Sequence, residues 1–402
     1  MSRDRTAELD ALTEPELRAR GSLKWTAVEP DTIGAWVAEM DFGTAGEIEA
    51  AVRAAVATGN LGYLPPGPRA ELAAACAQWQ QEWYGWPVPP EHVYPIADVV
   101  TALELVIRHL SRPGSPVIVP TPAYMPFLTT PPLQGREVIG APMARDGRGF
   151  RLDPDRLDAA FRAGGDLLIL CNPANPTGRV LSAGELAEVT AVVDRRGGRV
   201  FADEIHAPLV YPEHRHLPYA ASSGTAAAHT VTATSASKAW NLPGLKCGQV
   251  IVGDPAAAAT WRRVGSTAAA APGILGVAAA IAAYRSGHRW LADVLAYLDR
   301  SRRALGELLA AELPQVGYHP PEGTYLAWLD CRALRLADPV ESPAGYFRRS
   351  ARVALVDGAE CGEAGRGQVR LNFATPLPVL RRAVTRLGRA AARAGPATGA
   401  GR

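Results

Sequence analysis

Between residues 116 and 252 the chain repeats one pattern: a short apolar run, a polar turn, then a longer stretch of helical spacing. The runs are 116–120, 137–141, 167–171, 200–203, 230–234 and 249–252. A strand that is apolar on both sides has no face to show to water. It belongs in a mostly parallel sheet whose two faces are covered by helices. This predicts an α/β fold. Ligands bind such sheets beyond the carboxyl ends of the strands. Polar residues just after each run are therefore the first candidates for function, and Asn175, Asp203 and Lys238 all stand there.

From about Pro272 the pattern changes. Helical spacing over 290–313 leads into an alternating strand at 323–329, a helix near 344–351, a strand at 369–373 and a final helix over 376–392. These elements suit a smaller α+β unit. Helical spacing also marks 47–57, 70–83 and 99–110, with a Gly- and Pro-rich loop at 59–67. Residues 1–20 read as an amphipathic helix or a loose arm. The expected division is an N-terminal arm that joins the small domain (1–45), a large domain (46–285), a small C-terminal domain (286–394) and a disordered Gly/Ala-rich tail (395–402).

A chain of 402 residues is long enough for two such domains. It carries 42 Lys and Arg against 40 Asp and Glu, a formal net charge of +2. That balance makes no electrostatic case for nucleic acid or an anionic membrane. No apolar stretch approaches the roughly 20 residues that span a bilayer. The first residues, Met1-Ser2-Arg3-Asp4-Arg5, lack an apolar signal core. Five dispersed cysteines without a Cys-x-x-Cys pair read as reduced thiols of a cytoplasmic protein, and no metal site is expected.

The sharpest local signal is Lys238 in Thr234-Ser235-Ala236-Ser237-Lys238. It follows an apolar run at once and sits among small hydroxyls. A second cation, Lys246, ends the downstream segment Asn241-Leu242-Pro243-Gly244-Leu245-Lys246. An amine in a pocket that lowers its pKa can form a Schiff base with a carbonyl. Hydroxyls and a nearby cation can hold a dianionic phosphate. Alone, the segment would read as a turn with an exposed lysine. Two segments precede it, however: Asn172-Pro173-Ala174-Asn175-Pro176-Thr177-Gly178 after one strand, and Ala202-Asp203-Glu204-Ile205-His206 at the end of the next.

In this order the three segments resemble the fold-type I pyridoxal phosphate enzymes, the aspartate aminotransferase superfamily. The resemblance implies an aspartate aminotransferase-like fold, with a large domain of the seven-stranded type and a smaller α+β domain. It implies pyridoxal 5′-phosphate (PLP) as cofactor, carried by Lys238. Asp203 would touch the pyridine nitrogen and keep it protonated; Glu204 is the rival, and the family pattern selects the first acid. Asn175 would donate to the phenolic oxygen, while Asn172 makes the turn. His206 stands where many relatives carry a tyrosine to the same oxygen, and it either serves that oxygen or packs beside the ring. Tyr124, in Pro122-Ala123-Tyr124, would stack on the ring.

The phosphate would rest on the amides of Val99 and Val100 at a helix start, with Ser235, Ser237 and Lys246 completing the cup. Asp98 stands where relatives have glycine. It places an acid beside a dianion unless its side chain caps the helix, facing away. Arg370, in Val369-Arg370-Leu371-Asn372, would grip a substrate α-carboxylate through two parallel bonds. Tyr63, in Leu61-Gly62-Tyr63, would reach the neighbouring subunit's cofactor phosphate, which implies a homodimer with shared sites.

The N-terminal segment narrows the branch. Lys24-Trp25 and Trp36-Val37-Ala38-Glu39-Met40-Asp41-Phe42 resemble the MalY/PatB-type cystathionine β-lyases, with Glu39 in place of their first aspartate. The resemblance runs over roughly residues 22 to 390. It implies a small-molecule amino-acid substrate, an aromatic-lined cleft that includes Trp36, and carbon–sulfur cleavage. Cystathionine or a related cysteine S-conjugate would yield a thiol, pyruvate and ammonia, with Lys238 as the base at Cα. Transamination starts from the same carbanion, so these residues do not separate lyase from aminotransferase. A third reading is elimination or cyclisation of a modified amino acid in secondary metabolism; the departures at Asp98 and Glu39 keep it open. A purely regulatory role on the same fold has no appended DNA-binding segment behind it.

Overall fold

The computed structural model describes residues 3–59, 61–146, 149–265, 271–334, 336 and 341–394. Its main sheet has seven strands, in the spatial order Val93–Ile96, Gly248–Val252, Thr230–Thr234, Arg199–Asp203, Leu167–Cys171, Val117–Thr121 and Val138–Pro142. Only Gly248–Val252 runs antiparallel to its neighbours. Every residue of Thr230–Thr234 and Gly248–Val252 is buried, as a sheet covered on both faces requires. The apolar runs are these strands, with ends shifted by no more than one residue.

One strand was hidden in the sequence. Val93–Ile96 is interrupted by Pro95 and only half buried. Proline lacks a ladder donor and is tolerated at a sheet edge, which is where this strand lies. The helix expected from residue 70 also starts earlier, as Pro66–Tyr84. Pro66 occupies its first turn, where a missing N–H costs nothing. The proline-rich stretch that reads as loop is thus partly a helix start.

The second sheet is antiparallel, in the order Gly317–Tyr318, Leu326–Asp330, Gln368–Asn372 and Val356–Asp357. It shares one apolar core with the helices His288–Glu312, Pro343–Ala351 and Leu377–Arg393. The alternating strand expected at 323–329 begins only at Leu326, and its residues are buried on both sides. Thr324, in the left-handed region at φ 68°, turns the chain just before it. At the other end of the chain, Ile33–Gly34 pairs in parallel with Val353–Ala354, so the N-terminal segment joins this C-terminal layer. Residues expected as one helix or a loose arm form two short helices, Arg3–Ala11 and Glu14–Ala19. The expected tail at 395–402 lies outside the described residues. No described helix is long and apolar enough to cross a membrane.

A buried ion pair anchors the N-terminal segment. Lys24 and Asp41 are almost wholly enclosed, with Nζ 2.8 Å from Oδ2. Trp25 Nε1 donates to the other carboxylate oxygen at 2.8 Å, and Lys24 Nζ donates also to the Ala374 carbonyl at 3.1 Å. Every charged oxygen therefore has a donor, which is the condition for a buried pair to be tolerated. Asp41→Ala strands the Lys24 ammonium, and a loss of about 3–5 kcal/mol is expected. The check is the denaturant midpoint; an unchanged value would show that the pair contributes nothing.

Candidate active site

The strands Leu167–Cys171, Arg199–Asp203 and Thr230–Thr234 are adjacent and parallel, so their carboxyl ends share one edge. A cavity of about 510 Å³ opens there, walled by both sheets. It is lined by Trp36, Val99, Val100, Tyr124, Asn175, Asp203, His206, Ser237, Lys238, Lys246 and Arg370. The structure thus gathers most of the residues singled out by sequence. A second groove of about 520 Å³ beside Trp261 holds none of them.

Asp203 ends its strand, buried, and its Oδ1 accepts the Ile205 amide at 3.0 Å. Burial pushes its carboxyl up to about 7; the amide and Lys238 oppose this shift and Glu204 adds to it. Glu204 does not share the cavity. Successive strand residues point to opposite faces, and its Oε1 accepts the Tyr219 amide at 2.7 Å instead. Lys238 is partly open to the cavity by area, yet its amine lies deep and donates to the Ala38 carbonyl at 2.8 Å. Burial, then Arg370, push that amine down to about 8, against the attraction of Glu39 and Asp203. Burial likewise pushes His206 down to about 3, so its imidazole is neutral. Its Nδ1 has no partner among the described residues.

Arg370 lies on the second sheet and is buried, with no carboxylate partner among the described residues. One terminal nitrogen donates to Asn175 Oδ1 at 2.9 Å, the other to the Trp36 carbonyl at 2.8 Å, and Nε has no partner among the described residues. A buried cation without a counter-charge is costly, so a ligand carboxylate is the natural occupant beside it. The same bond turns the Asn175 oxygen away, leaving its amide N–H as the free group. Asn172 makes the turn, its Oδ1 accepting the Leu181 amide at 3.0 Å. Tyr124 lies close enough to Asp203 that, after burial, that carboxylate adds to the rise of its phenol pKa.

At the other end of the cavity, Asp98 caps the helix Val99–His109. Its Oδ1 accepts the Thr101 amide at 2.8 Å, and its Oδ2 lies 2.9 Å from Lys246 Nζ. Burial opposes ionisation of this acid, but Thr101 and Lys246 outweigh burial and hold its carboxyl below the usual range. It therefore does not face away: it lines the cavity with its charge balanced by Lys246. The first amides of a helix lack internal partners, so those of Val99 and Val100 remain for an anion.

Two expected residues stand elsewhere. Ser235 does not line the cavity; its hydroxyl donates to the Cys247 carbonyl at 2.6 Å and accepts the Ser237 amide at 3.0 Å, which tightens the turn that presents Lys238. Tyr63 is 100 % exposed and does not line this cavity.

Sequence reasoning missed a backbone strap. Residues 36–40 cross the site, and their polar backbone groups are taken up one after another. Asn372 Nδ2 donates to the carbonyls of Val37 and Glu39 at 2.6 and 2.7 Å. Tyr325 donates to the Ala38 carbonyl at 3.0 Å, sharing it with Lys238. Asn241, at φ 59°, brackets Met40 by donating to its carbonyl and accepting its amide, both at 2.9 Å. The only sequence signal was the 36–42 motif itself, whose side chains do not disclose a backbone role.

These groups fit the cofactor implied by sequence: an amine for the aldehyde, a buried acid for the ring nitrogen, a free amide donor, and a cup of helix amides with a hydroxyl and Lys246 for the phosphate. Among the described residues no cluster of His, Cys, Asp and Glu suits a metal.

Residues 37–387 match the family of class I and II aminotransferases. A putative cystathionine beta-lyase of Mycobacterium tuberculosis is 40% identical, covering 95% of this chain and 97% of its own. The cystathionine beta-lyase PatB of Bacillus subtilis is 31% identical over 89% of this chain and 92% of its own. A crystal structure of a putative PLP-dependent beta-cystathionase from Corynebacterium diphtheriae superposes with a TM-score of 0.89 at 38% identity, covering 95% of this chain and 98% of that one.

Asp203 makes stability depend on pH. Between about pH 4 and pH 7 the folded, cofactor-free protein keeps a proton on it that the unfolded chain has lost. Its contribution is full below that window and disappears as pH rises through it. Asp203→Asn should flatten this part of the profile: from about pH 5 to pH 7 the denaturant midpoint of the cofactor-free variant should fall less than that of the parent. Equal falls would place the titration elsewhere.

Proposed function

Because the chain belongs to the class I and II aminotransferase family and shares most of its length with cystathionine β-lyases, PatB among them, we propose that it is a PLP-dependent carbon–sulfur β-lyase. It cleaves cystathionine or a related cysteine S-conjugate, consuming water and releasing a thiol, pyruvate and ammonia. The similarity to cystathionine β-lyases supports the choice of elimination, and the structural observation that carries the PLP chemistry is Lys238. Its amine is pushed down to about 8 in a cavity that also holds the buried acid Asp203 and the unpaired guanidinium of Arg370.

When bound, PLP supplies an electron sink for the pair left at Cα. The residues of the chain do the rest. Asp203 would face the ring nitrogen, Tyr124 would lie against the ring, and the Asn175 amide would meet the phenolic oxygen, with His206 beside it. Val99, Val100, Ser237 and Lys246 would hold the phosphate. Arg370 takes the substrate carboxylate in the planar two-bond manner natural to a guanidinium. A depressed pKa leaves Lys238 Nζ partly unprotonated near neutrality, so it can take the Cα proton. The Ala38 carbonyl then accepts from the resulting ammonium.

The reading extends to a homodimer. Leu61 and Tyr63 are strongly exposed apolar residues on one loop, which suits a surface covered by a second subunit. Tyr63 would then reach that subunit's phosphate cup. Five free thiols suit a reducing, cytoplasmic setting.

Pyruvate should appear from L-cystathionine without any keto acid; strict dependence on a keto acid would mark an aminotransferase instead. Lys238→Ala should lower the rate by at least about 10³-fold, and near-normal turnover would refute its role. Arg370→Ala should cost about 2–5 kcal/mol in kcat/KM, read from initial rates at subsaturating substrate.

A further inference from the structure

One wall of the cavity is not used by the groups above. It comes from the second sheet and its flanking helix. Ala354, Leu355 and Val356 form an apolar strip, with Arg348 and Glu360 also lining the cavity. Val356 is the register partner of Arg370. The strip therefore stands beside the guanidinium that takes the α-carboxylate, and a substituent carried on sulfur has this wall to lie along. An S-alkyl group would need only the apolar strip, so the two charges call for a different ligand.

Neither charge is held in a buried ion pair. Arg348 leans on Glu29 at 3.1 Å, with both side chains about half exposed. Such an exposed pair contributes little and can admit a ligand carboxylate. Glu360 is exposed and forms no ion pair among the described residues. A cation and an anion that line the cavity together with an apolar strip match a zwitterion at the end of a short aliphatic arm.

We propose that Arg348 and Glu360 recognise the distal amino-acid end of the thioether, Arg348 its carboxylate and Glu360 its ammonium. The inference rests on the lyase reading and narrows its substrate class. The enzyme prefers cysteine thioethers whose sulfur substituent itself ends in an α-amino acid. In that reaction the Cβ–S bond breaks, sulfur leaves with the electron pair and gains a proton, and water completes the conversion of the remaining fragment to pyruvate and ammonia.

The test measures pyruvate release by the holoenzyme from four thioethers. L-Cystathionine carries both distal charges, S-carboxypropyl-L-cysteine only the anion, S-aminopropyl-L-cysteine only the cation, and S-propyl-L-cysteine neither. Each kcat/KM is divided by that for the S-propyl compound, so a loss of folded protein cancels within each variant. Arg348→Gln should lower the carboxypropyl ratio about tenfold and spare the aminopropyl ratio, Glu360→Gln should do the reverse, and both should lower the cystathionine ratio. Ratios unmoved in both variants would overturn the inference while leaving the lyase reading intact. Pyruvate from none of the four with the parent enzyme would remove the lyase reading itself.

Discussion

Cys171 lies opposite Asp203, and Asp203 opposite Ala233, across three adjacent parallel strands. This register decides what the site can contain. It sets Asp203 at the edge of the sheet and places the loops bearing Asn175 and Lys238 on either side. It also decides between two neighbouring acids. A slip of one residue would turn every side chain of the strand to the opposite face and exchange Asp203 for Glu204. The buried apolar residues of these strands hold the register, so the core specifies the site without touching a ligand.

The second sheet contributes through the strap over residues 36–40. The Lys24–Asp41 pair fixes one end of the strap, and Asn241 fixes it to the loop after Lys238. Upstream of these points the Ala38 carbonyl meets the Lys238 amine and the Trp36 carbonyl meets Arg370. The acceptors are backbone atoms. They tolerate changes of side chain as long as the path of the chain is kept, which explains how Glu39 can depart from the usual residue. Its carboxylate then acts on Lys238 only through space, opposing the depression of the amine's pKa.

Much of the fold and the chemistry was legible in the sequence, because wholly apolar runs leave few options for a sheet and because Lys238, Asp203 and Asn175 each follow such a run. The failures have local causes. Val93–Ile96 carries a proline that only an edge strand tolerates, so its pattern does not look like its neighbours'. Ser235 has the residue type of a phosphate ligand, but its nearest acceptor is a backbone carbonyl, and the tight turn claims it first. Asp98 looked like a charge conflict. Its two oxygens separate the tasks, one capping the helix and one holding Lys246. Tyr325, Asn241 and Asn372 were not singled out for a role, since a side chain that binds a distant backbone carbonyl leaves no periodic or spacing signal.

Arg370 reaches from its own sheet to Asn175 on a loop of the main sheet. The two halves of the molecule are thus fastened by the same guanidinium that we propose as the grip for a substrate carboxylate. Grip on the substrate and stiffness between the halves share one set of N–H donors. Evolution cannot adjust one without disturbing the other, and any relative of this chain that loosens its hold on amino acids should also be a looser hinge.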